Sequence, residues 1–229
     1  MGVLHETFKG VIFDLDGLLI DSESRALRAF SSACEAAGLD LPQSVFESCV
    51  GTNHQRSRRI LQDAIKSKSK YEAFAKAWDR DYQILIGQGV PLKPGARALL
   101  EYLKAHKIPI AVATSSPKHG AKKKLTQSGI WDYFHAVVSG DEVSESKPDP
   151  EIYELAASRI GVAPEDCLAL EDSRNGVLSA LGAHMTVIQI PDLIQPDEAL
   201  IKRGPIVLDS LDRVLSFEFK IEKTKIARK

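Results

Sequence analysis

VIFDLDGLLIDSE, residues 11–23, opens as a strand and closes in acid. Val11, Ile12 and Phe13 form an apolar run without alternation, which is how a strand covered on both faces reads. Asp14 and Asp16 end it. Residues two apart on extended chain project to one side, so the two carboxylates share a side with Leu15 between them. They stand at the carboxyl end of the strand, the edge where open α/β sheets bind ligands. A plain turn, opened by an Asx hydrogen bond at Asp16-Gly17, is the alternative reading of the same residues.

The pattern recurs along the chain. GVIFD (10–14), IPIAVAT (108–114), CLALED (167–172) and HMTVIQI (184–190) are short apolar runs followed by helical periodicity, and AVVSG (136–140) and IVLDS (206–210) are weaker strand candidates. Strands alternating with helices predict parallel crossovers and a doubly wound parallel α/β sheet. Ala96, Leu99, Leu100 and Leu103 keep an i, i+3, i+4, i+7 stripe, and Gly129 and Gly161 stand where helices would stop. Residues 18–88 break the rhythm, because helix follows helix there with no strand between. Leu27, Phe30 and Cys34 form one stripe, Ile60, Leu61, Ala64 and Ile65 another, and Tyr71, Phe74, Trp78, Tyr82 and Leu85 a third, with a short helix between Pro42 and Gly51. The chain therefore divides into an α/β core domain, residues 1–17 and 89–229, and an inserted helical domain, residues 18–88.

Length and composition bound the rest. At 229 residues with 44% of them apolar, the chain can bury one full core and carry a second small unit. The 30 basic and 31 acidic side chains leave a net charge of -1, so no global field draws the protein to nucleic acid or an anionic membrane. Any anion it recognises must be held by a local site. Cys34, Cys49 and Cys167 lie far apart in apolar or helical runs and read as reduced core thiols. No run approaches the roughly 20 apolar residues of a membrane span, and no signal core opens the sequence. At Met1-Gly2, Glu6 stands where a myristoylation motif wants Ser or Thr. These features set the expectation of a cytoplasmic monomer whose partner is a small molecule. The tail FEFKIEKTKIARK reads as a solvated end.

Further polar groups collect at the other strand ends. The second strand closes on Thr114-Ser115-Ser116, a later one on Glu171-Asp172-Ser173, and Lys147 precedes Pro148 at a helix start. Each has a plain reading: Thr114 and Ser115, or Asp172 and Ser173, could cap helices, and Lys147 could lie on the surface. In a parallel sheet, however, all of them meet at one edge. Four carboxylates there would raise one another's pKa unless cations share the space. With only oxygen ligands at the strand ends, Mg²⁺ is favoured over zinc, and Mg²⁺ with one or two carboxylates commonly serves phosphate chemistry. A carboxylate there can attack phosphorus, a second can act as acid and then base, and a hydroxyl with an ammonium can hold the transferring group. Asp14, Asp16, Thr114 and Lys147 match those needs.

FDLDG, ATSS, KPDP and LEDS, in that order, resemble the four motifs of haloacid dehalogenase superfamily phosphohydrolases, and the likeness covers most of the chain. The inserted helices resemble the type 1 cap of the β-phosphoglucomutase-like subgroup. The resemblance implies Asp14 as nucleophile, Asp16 as general acid and base, and Thr114 and Lys147 as holders of the phosphoryl group. It implies Mg²⁺ on Asp14, Asp172 and the Asp16 backbone carbonyl, with Glu171 holding the metal's waters and Ser115 giving its backbone N–H to phosphate. It places Gly51, Thr52 and Arg56 of the cap at the leaving group. The activity implied is a phosphatase on a small phosphorylated metabolite, a sugar or polyol phosphate, with a phosphosugar mutase as the alternative. Mutases of this kind carry a histidine on the first cap helix, where Ala26 stands here. A phospho-accepting receiver module is a third reading, but receivers lack a helical insert after the first strand.

Overall fold

Val11 and Phe13 enter one hydrophobic cluster and Ile12 another, so β1 (Gly10–Phe13) is covered on both faces, as its unbroken apolar run requires. The computed structural model describes residues 8–215. The readings made for Met1-Gly2 and for the tail from Phe217 fall outside them. Four helices follow β1: α1 (Glu23–Ala37), α2 (Gln43–Glu47), α3 (His54–Ile65) and α4 (Lys68–Gly87). The chain then alternates through α5 (Ala96–Ala105), β2 (Ile110–Thr114), α6 (Lys118–Gln127), β3 (Ala136–Ser139), α7 (Glu151–Ile160) and β4 (Cys167–Glu171). It closes with α8 (Arg174–Gly182), β5 (Thr186–Gln189), α9 (Glu198–Ile201), β6 (Ile206–Val207) and α10 (Leu211–Leu215).

The six strands of the described residues are all parallel, in the order β3-β2-β1-β4-β5-β6. This is the doubly wound sheet expected. β3 and β6, the two weak strand candidates, are its edges, where side chains are only partly covered and the apolar signal fades. Phe13 pairs with Val112 on one side and Leu170 on the other, and the Asp14 N–H continues the ladder to the Leu170 carbonyl at 3.0 Å. The strand order reverses between β1 and β4, so a crevice opens at their carboxyl ends. α5 buries Ala96, Leu99, Leu100 and Leu103, the stripe read from the sequence.

The inserted helices have a core of their own. Phe30 meets Phe46, Phe74 and Trp78 at ring separations of 5.5, 5.4 and 5.6 Å, edge to face in each case. Such pairs are worth about 0.5–1.5 kcal/mol each beyond their buried area. The two crossings between insert and sheet are hydrogen-bonded to each other: the Asp21 N–H reaches the Pro91 carbonyl at 3.0 Å and the Lys93 N–H reaches Leu19 at 2.9 Å. All three cysteines are free and buried. Among the described residues no helix is long and apolar enough to cross a membrane.

Candidate active site

Register brings the chemistry together. Because Phe13 pairs with Val112 and Leu170, the residues just past them, Asp14, Ala113 and Glu171, lie side by side at the sheet edge. Lys147 spans all three: its Nζ donates to Asp14 Oδ1 at 2.5 Å, to the Ala113 carbonyl at 2.9 Å and to Glu171 Oε1 at 2.6 Å. It is buried, which excludes the reading of a surface lysine. Burial alone would lower its pKa, but the charges of Asp14 and Glu171 hold the ammonium above its ordinary range. The Asp14 carboxyl is pushed up to about 7 by burial, against the pull of Lys147 and with the push of Glu171 and Asp16.

Glu171 is fully engaged. Its Oε1 also accepts from the Tyr153 hydroxyl at 2.7 Å, and its Oε2 accepts from the backbone N–H groups of Asp172 and Ser173 and from the Ser173 hydroxyl, each at 3.1 Å. Ser173 takes the cap of α8, accepting from the Gly176 N–H at 3.1 Å. Asp172 is thereby left free for other chemistry. Its carboxylate is buried and has no hydrogen-bond partner among the described residues, and burial with the charges of Glu171 and Asp14 drives its pKa well above the usual range. Oxygens of Asp14, Glu171 and Asp172 lie within 4.8 Å of one another. Gly17, with φ at +85°, lets the chain pass this point, since a Cβ there would run into Asp172.

Asp16 is held by a different set of groups. Ser22 Oγ donates to its Oδ1 at 2.6 Å, Ser116 Oγ to its Oδ2 at 2.7 Å, and Thr114 Oγ1 lies 3.4 Å from Oδ2. The ammonium of Lys124, buried on α6, also donates to Oδ1 and reaches Ser116 Oγ at 2.8 Å. Burial pushes the Asp16 carboxyl up, but the Lys124 charge and the bonds from Lys124, Ser22 and Ser116 bring it below its ordinary value. Four carboxylates thus meet two ammonium groups. With all four ionised two negative charges remain, which one divalent cation would balance; Glu23, its carboxyl raised to about 8 by burial and the Asp16 charge, adds none near neutrality. The partnerless Asp172 carboxylate and the all-oxygen donor set fit such an ion.

A cavity of roughly 230 Å³ opens above this floor, lined by Asp14, Asp16, Thr114 and Ser115 from the sheet edge and by Gly51 and Thr52 from the insert. Asp172 borders a neighbouring cavity that shares Glu23 with the first. Gly51, with φ at +70°, lies so close to the β4–α8 turn that a Cβ there would sit 2.6 Å from Ser173 Oγ. The Ser115 hydroxyl points at the Gly51 carbonyl from 3.4 Å. Thr52 is tied to the Cys49 carbonyl at 2.7 Å and to Ser57 Oγ at 2.6 Å. Arg56, expected beside Gly51 and Thr52, is exposed and lies outside the cavity lining. Asn53 caps α3 by accepting from the Arg56 N–H at 2.9 Å, and the helical turn that follows carries the Arg56 side chain into solvent.

Lys124, Ser22, Tyr153 and Glu23 were not anticipated as parts of the site, and Ser116, read as one of the polar groups at the end of β2, takes a bond to Asp16 that was not anticipated. Glu23, at the start of α1, borders the cavity, and burial together with the Asp16 charge raises its carboxyl to about 8. Lys124 left a trace in the sequence. It stands three residues after Ala121 and next to Leu125, both fully buried, so it occupies the apolar face of its helix.

A family model for haloacid dehalogenase-like hydrolases matches residues 11–190. A Thermotoga maritima protein named phosphorylated carbohydrates phosphatase is 31% identical over 91% of this chain and 97% of its own. The β-phosphoglucomutase of Bacillus subtilis is 33% identical over 80% of this chain and 83% of its own. The crystal structure of CbbY from Rhodobacter sphaeroides in complex with phosphate superposes with a TM-score of 0.75 at 28% identity, covering 91% of this chain and 96% of that one. With the family match running from β1 through β5, and the four motifs gathered at one sheet edge, the chain belongs to the haloacid dehalogenase-like hydrolases and is an enzyme, a phosphoric monoester hydrolase.

Proposed function

We propose that the enzyme is a Mg²⁺-dependent phosphatase that hydrolyses a small phosphorylated metabolite, with a sugar or polyol remainder, through an aspartyl-phosphate intermediate. The observation that carries this reading is the position of Asp14, which borders the cavity while Lys147 ties it to Glu171 at the junction of three strands. A carboxylate so fixed can attack phosphorus as the bond to the leaving oxygen breaks. Asp16, protonated once the substrate is in place, passes that proton to the departing alkoxide, then takes one from the water that attacks the aspartyl phosphate, freeing phosphate and restoring both Asp14 and the Asp16 acid. Thr114 holds the transferring group, with the Ser115 N–H beside it, and Lys147, bonded to Asp14, Ala113 and Glu171, adds its positive charge from behind the attacking carboxylate. Mg²⁺ held by Asp14, Asp172 and the Asp16 carbonyl, with Glu171 bracing the site, would supply positive charge to the phosphate oxygens.

Residues 18–88 act as the cap and residues 1–17 with 89–229 as the core, the paired crossings at Ile20 and Leu92 serving as the hinge. Gly51 and Thr52 face the leaving group from the cap, and Arg56 stays outside. The sugar class is supported by the name of the Thermotoga maritima relative. A phosphosugar mutase is the second reading, favoured by the Bacillus subtilis relative. Activation by a sugar bisphosphate without net phosphate release would establish it over hydrolysis. Asp14→Asn should abolish turnover of p-nitrophenyl phosphate, and EDTA should do so reversibly in the unaltered enzyme; full activity in the variant would remove Asp14 as the nucleophile.

A further inference from the structure

We infer that Lys124 is a positioning residue of the reaction, fixing the Asp16 carboxylate, together with Ser22 and Ser116, where proton transfer needs it. The inference rests on the reading of Asp16 as general acid and base. A lysine on the apolar face of α6, its side chain 6% exposed, is not placed there for packing. Burying an ammonium costs desolvation and side-chain entropy, and a hydrophobic residue of similar volume commonly does as well or better for stability. What Lys124 does is reach Asp16 Oδ1 and Ser116 Oγ. Both oxygens of Asp16 are then tethered, Oδ1 by Lys124 and Ser22, Oδ2 by Ser116. The tethers come from α6, from the residue before α1 and from the loop after β2, so the carboxylate is fixed from three directions.

Lys124 does not border the cavity that Asp14, Asp16 and Thr114 line. It acts from behind Asp16 and does not touch the phosphoryl group. A proton-transfer group must lie within about 2.6–3.2 Å of its partner atom, so a carboxylate free to rotate loses most of its effect.

Lys124→Met keeps the aliphatic stem and removes the tether. For an alkyl phosphate, whose alkoxide needs a proton to leave, kcat/KM should fall on the order of 10²-fold, the low end of a general acid's contribution. For p-nitrophenyl phosphate, whose leaving group needs none, it should fall less than about tenfold. In an Asp16→Asn background, with phosphate release followed over long incubations, Lys124→Met should change alkyl phosphate turnover by no more than about twofold. An equal loss on both substrates, or the same loss with and without Asp16, would overturn the inference, since Lys124 would then serve the phosphoryl group or the fold. If circular dichroism shows that Lys124→Met does not fold, Ser116→Ala must show the alkyl-selective loss in smaller measure, and its absence is equally fatal. Asp16→Asn alone tests the parent reading: full alkyl phosphatase activity there removes Asp16, whereas a loss there with none in Lys124→Met removes only Lys124.

Discussion

Replacing Asp172 with asparagine should stabilise the metal-free protein and at the same time abolish its response to Mg²⁺. The carboxylate is 5% exposed, lacks a hydrogen-bond partner among the described residues, and has oxygens of Asp14 and Glu171 within 4.8 Å. Lys147 cancels one of those two charges, so Asp172 faces one net negative charge. At 4.8 Å and an effective dielectric of about 20, that repulsion is about 3 kcal/mol. Protonation relieves part of it, so removing the charge should gain about 1–3 kcal/mol, or about 2–12 °C in Tm for a chain of this length.

The unaltered protein should behave in the opposite way. At Mg²⁺ one hundred times its Kd, binding to the folded state alone adds about 2.7 kcal/mol, a rise of about 5–11 °C. Asp172→Asn should show none of that rise. The pH dependence follows from the sign of the shifts. Asp14 moves from an ordinary 3.8 to about 7 in the fold, so the stability it contributes is fully present below 3.8 and is lost as pH climbs through about 7. Asp172 is shifted in the same direction, so the advantage of the asparagine variant in EDTA should grow with pH over that window. Thermal melts followed by circular dichroism, in EDTA and in saturating Mg²⁺, measure both effects. A lower Tm for the variant in EDTA, or a Mg²⁺ shift that survives in it, would show that Asp172 does not sit in an unbalanced acidic site.

Two further outcomes follow from contacts around the site. Glu142 accepts from the Ser139 N–H and hydroxyl at 3.1 and 2.5 Å and from Arg159 at 2.9 Å, bracing the loop that leads to Lys147. Burial pushes its carboxyl up, but those bonds bring it down to about 2, so its contribution is present above 4.5 and is lost as pH falls toward 2. Discounted for partial exposure, Glu142→Gln should cost about 1–2 kcal/mol in urea unfolding at pH 7, the gap shrinking in acid; a gap that persists at low pH would contradict the assignment. Gly51→Val places a branched side chain at φ +70° against Ser173. At about 1–2 kcal/mol for the left-handed backbone, it should lower Tm by about 2–8 °C, and an unchanged Tm in thermal melts would mean that residue 51 does not need this conformation.

What could be read in advance, and what could not, divides along physical lines. β1, β2 and β4 were legible because strands covered on both faces carry no polar residues within the run to blur it, and the polar residues ending them stand out for that reason. The helical insert was legible because three stripes with helical spacing and one short helix follow one another with no strand between them. Arg56 was grouped with Gly51 and Thr52 because a polar stretch before a helix mixes cap residues with ligand residues, and only the structure shows that Asn53 takes the cap and that Arg56 lies outside the cavity lining. The engagement of Glu171 could not be read either, since Tyr153 lies 18 residues earlier on another element. Lys124 was hidden in a run of three lysines, 122–124, that looks like a solvated face until helical rotation places one of them beside Ala121 and Leu125. That omission bears on the metal. With Lys147 alone, Asp14, Asp16, Glu171 and Asp172 would carry three uncompensated charges, more than one divalent ion offsets. Lys124 lowers the excess to two, so the ammonium that the sequence concealed is the one that brings this acidic edge within the charge of a single divalent ion.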